Sequence, residues 1–238
     1  MRQFREKLRA LPYFSLVFLR MPVSWQVAVM PKRLFAHEVF VVPLNLIRLY
    51  SASDPSPPKR SFRFCFPTSE ETGFLPLPSA FDEMTDDNPR ACVHNTVRDI
   101  FIHGKDFRET SQYKRMTNGL ADGVFLYNCK SPEDVDDYFV RLIQAYKSIK
   151  EDGYKTQKEL GKTPKDEVRI LVTENGSFSL GSKGNHRFRM AELLGVRQIP
   201  CNVYGANARW LASLSRETGD PPHEALINWM NRRKPTGS

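Results

Sequence analysis

The stretch 131–204 constrains the fold most, because it carries strong local signals for several elements in a fixed order. A helix is predicted to begin at Ser131, a serine N-cap that is followed by Pro132 and by Asp134, the acidic residue of a capping box. Gly153 is placed to end this helix. Its apolar face is formed by Val135, Phe139, Leu142, Ile143, Tyr146 and Ile149.

A β-hairpin is predicted after this helix. Residues 168–173 alternate as a strand does, and Asn175-Gly176 separates them from a second apolar run over 177–180. An Asn-Gly pair between two such runs is a strong hairpin signal, so we expect the second run to return antiparallel. Two elements complete the order: a helix over 188–194 that ends at Gly195, and a strand over 199–204.

The segment between the hairpin and the next helix has the composition of an anion site. Gly181 and Gly184 would let backbone N–H groups approach a ligand, and the first turn of a helix attracts negative charge. Lys183, His186 and Arg187 add side-chain donors at the same place. These features indicate a phosphate or nucleotide site; the alternative is a tight turn whose basic residues are simply solvated.

Weaker patterns precede this stretch. Residues 37–50 predict a strand that leads into a Leu-rich turn. Proline and serine over 51–60 predict a linker or exposed loop. Prolines also break the apolar runs of 61–130, which we expect to be rich in loops with short elements.

The positive charge of the chain is concentrated at its start. The net charge is +8, and residues 1–36 carry seven basic side chains against one acidic side chain. The rest of the chain is therefore nearly neutral, which makes a long DNA-binding surface less plausible than one local anion site.

The apolar run 11–30 is too interrupted to cross a membrane, because Pro12, Arg20 and Pro22 divide it. No small-residue cleavage site follows it, which disfavours a signal peptide. An organelle transit peptide, a segment lying on an anionic membrane surface and a helix packed on the body remain as alternatives.

The cysteines and histidines favour neither a metal site nor a disulfide framework. The sequence has no C-x-x-C motif, and its four cysteines are widely spaced. We expect reduced, mostly buried thiols in a cytoplasmic protein, and no metal ligands. The cysteines are Cys65, Cys92, Cys129 and Cys201.

The stretch 184–203, GNHRFRMAELLGVRQIPCNV, resembles the signature of the ParB/sulfiredoxin superfamily. Members carry a Gly-x-His-Arg or Gly-x-Arg-Arg turn, an alanine-bearing helix, a Leu-Gly stop and an Ile-Pro-Val strand. Two other segments are similar to family motifs: SIKEDG at 148–153 to a helix end, and VPLNLI at 42–47 to the opening strand.

The resemblance implies an α+β fold, a ParB/sulfiredoxin-like small mixed sheet with packed helices and with helical N- and C-terminal extensions. It implies a domain over 37–205 with a long insertion at about 51–130, between an extension at 1–36 and another at 206–238. In this last segment we expect two short packing helices divided at 219–222, with Trp210 and Trp229 as core anchors.

The resemblance also implies that Gly184, His186 and Arg187 bind nucleotide phosphates. The implied ligand is CTP, ATP or ADP with Mg²⁺, or another phosphorylated small molecule. Phosphoryl transfer or NTP hydrolysis would be the reaction of an enzyme of this kind, although no catalytic residue can be assigned. Further ligand candidates follow the glycine stop at 153; they are Lys155, Thr156 and Gln157.

Asn185 departs from the family pattern in an informative way. It stands where sulfiredoxin has its catalytic cysteine, so reduction of sulfinic acids is disfavoured. It also replaces the glutamate of the ParB box, and the 206–238 segment is too short for a helix-turn-helix reader with a dimerisation domain. A DNA-associated module or nuclease, and a non-enzymatic accessory protein at a membrane, remain alternative functions.

Overall fold

A mixed β-sheet with helices packed around it organises the chain, as the α+β prediction requires. The computed structural model describes residues 38–50, 65–66, 74–75, 89–173, 175–181 and 183–233. The predictions for the extension 1–36 and for most of 51–88 lie outside these residues. None of the helices in the described ranges is both long and apolar enough to cross a bilayer.

The sheet joins strands from both ends of the chain. Its order is β1-β7-β5-β6-β2-β4, and β3 pairs with β7 off this path. The β5–β7, β2–β6 and β3–β7 pairs are parallel, while β1–β7, β5–β6 and β2–β4 are antiparallel. The strands are β1 Phe40–Pro43, β2 Ile47–Tyr50, β3 Cys65–Phe66, β4 Phe74–Leu75, β5 Val168–Val172, β6 Phe178–Leu180 and β7 Gln198–Asn207.

Six helices of the described ranges pack around this sheet and bury two apolar clusters. One cluster lies between the sheet and the helices α4, α5 and α6, and the other lies among α1, α2, α3 and α4. The helices are α1 Pro89–Phe101, α2 Ser111–Ala121, α3 Pro132–Asp152, α4 Asn185–Leu193, α5 Ala208–Thr218 and α6 Pro222–Arg232. Because α4 contributes to both clusters, its position is fixed from two sides.

Helix α3 begins and ends where the sequence predicts. The Ser131 hydroxyl accepts a hydrogen bond from the Asp134 N–H at 3.2 Å, and the Asp134 carboxylate accepts from the Ser131 N–H at 3.2 Å. Gly153 forms the C-cap. This reciprocal capping box satisfies two N–H groups that the helix itself cannot pair.

Loss of this cap should cost measurable stability. We expect Ser131→Ala to lower the free energy of unfolding by about 1 kcal/mol, because the Asp134 N–H loses its acceptor. Ser131→Asp keeps an acceptor at the N-cap and should stay within about 0.5 kcal/mol of the wild type. Urea unfolding followed by circular dichroism measures both, and equal stability of the two variants would contradict the capping role.

The hairpin of β5 and β6 is present and antiparallel, as predicted. The Thr173 N–H donates to the Ser177 carbonyl at 3.0 Å, so the turn lies between these two residues, where the sequence places it. Gly176 has a φ of +76°, and a Cβ there would lie 3.0 Å from Trp210 Nε1. The turn therefore packs against the tryptophans, and this contact together with the positive φ explains the glycine.

The middle of the chain is more helical than expected. Residues 89–130 contain α1 and α2, where the sequence pattern predicted mostly loops. Helix α1 is buried without interruption from Cys92 to Val97, and His94 lies 6.2 Å from the Phe188 ring of α4. Three of these buried residues, His94, Asn95 and Thr96, are polar, so the sequence contains no apolar run that marks this segment as a buried helix.

The segment after β7 forms the two predicted helices, α5 and α6. Trp210 and Trp229 pack edge to face with their ring centroids 4.7 Å apart, and both lie against the apolar cluster of the sheet. Arg233 lies 4.1 Å from the centroid of the Trp229 ring. The prediction that both tryptophans anchor the core is consistent with these contacts.

The cysteines behave as expected where they are described. Cys92, Cys129 and Cys201 are buried, and none of these three described cysteines is in a disulfide. Burial raises the pKa of Cys129 and of Cys201, so both remain protonated at neutral pH. The side chain of Cys65 lies outside the described part of the chain.

Candidate functional site

The turn from β6 to α4 lies beside the beginning of β5. The Arg169 N–H donates to the Lys183 carbonyl at 3.0 Å, and the Gly181 N–H donates to the Arg169 carbonyl at 2.6 Å. These bonds extend the β5–β6 pairing beyond the end of β6. They place the two acidic residues before β5, Asp166 and Glu167, next to the basic residues of the turn.

Gly181 and Gly184 are explained by packing of the turn on β5. A Cβ at 181 would lie 2.8 Å from the Arg169 carbonyl oxygen, and a Cβ at 184 would lie 2.8 Å from the Val168 Cα. Gly184 also has a φ of +86°. The sequence predicts that these glycines make room for a ligand, whereas in the structure the space on their Cβ side is occupied by β5.

The N–H groups in the first turn of α4 have no side-chain acceptor among the described residues. Gly184 is its N-cap and supplies no side-chain acceptor, so no side chain caps the N–H groups there. The Asn185 amide oxygen is buried and has no hydrogen-bond partner in the described part of the chain. An unpaired acceptor needs a donor such as water, and phosphate oxygens do not supply one, so this atom does not contribute to an anion site.

Lys183 and Arg187 are both paired with the acidic residues, but in different ways. The Lys183 ammonium contacts the Asp166 carboxylate, and both side chains are more than 30% exposed. Arg187 contacts the Asp166 carbonyl and lies 3.4 Å from Glu167, whose side chain is 0% exposed. An exposed ion pair contributes little to stability, so Lys183 can exchange partners at low cost while Arg187 is fixed.

Glu167 is the buried acid of the site. Its carboxylate accepts a hydrogen bond from the Gln157 backbone N–H at 2.5 Å and faces the Arg187 guanidinium. Burial raises the pKa of Glu167, while the Gln157 N–H and Arg187 act in the opposite direction. The sequence motifs did not single out Asp166 and Glu167 as site residues. If the predicted pairing of the two hairpin strands is continued to the residues before 168, however, these acids lie opposite the turn.

The secondary ligand candidates after Gly153 reach this site only in part. Gln157 is buried and touches Glu167 through its backbone. Lys155 instead pairs with Asp152 at 3.0 Å, and the Thr156 hydroxyl donates to Glu159 at 2.7 Å. The three residues therefore lie together at one end of the site, and Gln157 alone is bonded to a residue of the Glu167–Arg187 pair.

The same connection carries further positive charge. Between α3 and β5 there are three exposed lysines besides Lys155, and none of them has an ion-pair partner among the described residues. Because Gln157 ties this connection to Glu167, the lysines extend the positive charge around one side of the turn. They are Lys158, Lys162 and Lys165.

His186 faces away from Lys183 and Arg187. Its Nε2 donates to the Gln112 side-chain oxygen at 2.8 Å, and its Nδ1 is 3.3 Å from the Tyr138 hydroxyl. Burial lowers the pKa of His186 to about 4, so the ring is neutral at pH 7. His186 therefore contributes no positive charge to the turn, and it joins α4 to α2 and α3 instead.

The described ranges contain no group of three or more His, Cys, Asp or Glu side chains arranged to hold a metal ion. The site of this chain thus consists of an uncapped helix start, one exchangeable lysine, one fixed arginine and two acidic partners.

Comparison of the chain with protein-family models, with curated proteins and with solved structures finds no match.

Proposed function

We propose that this protein binds a nucleotide or another phosphorylated ligand at the start of α4, within a ParB/sulfiredoxin-like domain. The observation that carries the proposal is the uncapped first turn of α4, whose N–H groups have no side-chain acceptor among the described residues. Backbone N–H groups at a helix start bind phosphate oxygens, and the helix dipole favours their negative charge.

The two basic side chains have separate roles in this proposal. Lys183 leaves Asp166 and contacts the phosphate, because its half-exposed ion pair is easily replaced. Arg187 stays on Glu167 and holds the turn in place, with its positive charge near the helix start. The ligand thus gains a cation from Lys183 without requiring the buried pair to break.

The order of elements supports the ParB/sulfiredoxin-like assignment of the fold. The strand β6, the Gly184–Arg187 turn, α4 and β7 follow the order that the family motif implies, and α3 ends at Gly153 as the SIKEDG motif implies. Mg²⁺ would enter bound to the nucleotide phosphates, and Asp166 is the partly exposed carboxylate of the turn that could approach it.

Calorimetric titration of CTP, ATP and ADP with Mg²⁺ tests the proposal. We expect the wild type to bind at least one of them, and Lys183→Ala to bind it about tenfold more weakly because a charge-assisted contact is lost. Arg216→Ala is the matched control, since Arg216 is an exposed cation whose hydrogen bonds stay within α5. This control should bind as the wild type does.

Two results would overturn the proposal. One is the absence of binding of all three nucleotides and of inorganic tripolyphosphate to the wild type. The other is equal affinity of the wild type and Lys183→Ala, because the lysine at the helix start would then make no contact with phosphate. Release of inorganic phosphate during the titration would identify NTP hydrolysis as the reaction.

A further inference from the structure

Exposed apolar side chains cluster on the short 3-10 segment between α2 and α3. Phe125 is 55% exposed and Tyr127 is 50% exposed, and Val124 beside them is exposed as well. Single exposed apolar residues are common on protein surfaces, but neighbouring aromatic rings on one loop often mark a binding surface.

The backbone of this segment is held in an unusual conformation. Tyr127 has a φ of +54° and Asn128 a φ of +63°, a region that tyrosine rarely adopts. The Tyr127 ring lies against Tyr138 of α3 with centroids 5.0 Å apart, and the Cys129 N–H donates to the Leu126 carbonyl at 3.0 Å. The ring is thus half exposed and yet fixed in place, at the cost of a strained backbone.

This ring adjoins the start of α4. Its centroid lies 6.2 Å from the His186 ring, and His186 is the second residue of the helix. Lys183 and Arg187 contact the acidic residues before β5, while His186 contacts Tyr127 and Tyr138. The helix start therefore has a charged side and an aromatic side.

We propose that Tyr127 is the surface on which the base of a bound nucleotide stacks. This inference rests on the proposed function and narrows its ligand class, from phosphorylated molecules in general to nucleotides. A ligand whose phosphate lies at the first turn of α4 can extend toward Tyr127 or toward the charged side. An aromatic base gains from an exposed ring that is already ordered, whereas a sugar phosphate does not.

The neutral surroundings of Tyr127 fit this role. His186 carries no charge at neutral pH and Tyr138 keeps its proton, because burial raises the pKa of the Tyr138 hydroxyl. The rings beside the proposed base are therefore uncharged, and stacking on them requires no charge to be removed from water.

The variant Tyr127→Gly tests the role of the ring in binding while the fold of the turn is kept. Glycine adopts a φ of +54° without strain, so the variant keeps the turn while it loses the ring. We expect this variant to bind ATP or CTP, whichever binds the wild type more tightly, about tenfold more weakly. Inorganic tripolyphosphate with Mg²⁺ should bind the variant and the wild type equally, because it has no base.

Two further variants control for indirect effects. Tyr127→Phe keeps the stacking surface and should bind the nucleotide within about twofold of the wild type. Ile102→Ala removes an apolar side chain of similar exposure outside the cluster and should leave binding unchanged. Thermal unfolding of each variant should show that all of them fold.

The outcomes separate this inference from the proposed function. Equal affinity of the wild type for tripolyphosphate and nucleotide would overturn the inference alone, because the base would add nothing. The inference would also be overturned if Tyr127→Gly lost affinity equally for the nucleotide and for tripolyphosphate, or lost affinity for neither. Failure of the wild type to bind either probe would overturn the proposed function as well.

Discussion

Gly184→Ala is expected to destabilise the fold by about 3 kcal/mol, because the substitution combines backbone strain with a steric collision. Gly184 has a φ of +86°, and a Cβ there would lie 2.8 Å from the Val168 Cα. Backbone atoms cannot move aside as the end of a flexible side chain can, so either β5 or the start of α4 must shift. The measurement is the free energy of unfolding in urea.

Gly195→Ala is the matched control for this prediction. Gly195 has a φ of +68°, but a Cβ there would meet nothing within 4 Å. The control therefore retains the conformational cost without the collision, and we expect it to lose about 1 kcal/mol. Similar losses at 184 and 195 would show that the turn does not pack on β5 as described.

Replacement of Arg187 by methionine should have the other large effect, a loss of about 2–3 kcal/mol at pH 7. Glu167 is 0% exposed and would keep a buried negative charge without its guanidinium partner. Burial already raises the pKa of Glu167, and loss of Arg187 would raise that pKa further. The native state would then hold a proton in a pH range where unfolded Glu167 has released it.

The sign of the pH dependence follows from this difference in proton binding. Because the folded variant binds more protons than the unfolded chain, its stability should fall as the pH rises above the ordinary pKa of a glutamate. The double variant Arg187→Met/Glu167→Gln has no such charge and should recover stability at pH 7. The test is the free energy of unfolding of the wild type, Arg187→Met and the double variant, measured in urea from about pH 5 to about pH 8.

If Arg187→Met lost stability by the same amount at every pH, this result would contradict the role of the Glu167–Arg187 ion pair. So would a double variant no more stable than Arg187→Met, because removal of the unpaired charge would then have had no effect. Either result would place the cost in lost packing of the arginine side chain instead.

The sequence predicted best the elements whose signals are local. The capping box of Ser131 and Asp134, the stop at Gly153 and the Asn175-Gly176 hairpin each depend on residues a few positions apart. The contact of the turn residue Gly176 with Trp210, a residue far along the chain, is not visible in these local signals.

The sequence did not reveal features that arise from contacts between elements. Helix α1 buries the polar residues His94, Asn95 and Thr96, and the sequence does not show the contacts that bury them, such as that of His94 with Phe188 of α4. His186 was expected beside the phosphate as a donor, but its partners Gln112 and Tyr138 are on helices whose packing the sequence does not show. Whether His186 touches the ligand stays a prediction.

The position of β7 in the sheet has a consequence for biosynthesis. This strand pairs with β1, β3 and β5, and its partner residues include Phe40 opposite Cys201. During translation, β1 and β5 are both synthesised before the strand that lies between them, so the sheet cannot close until β7 has left the ribosome. Nascent chains that stop before residue 198 would therefore expose two apolar strand edges, and such edges are substrates for chaperones and sites of aggregation.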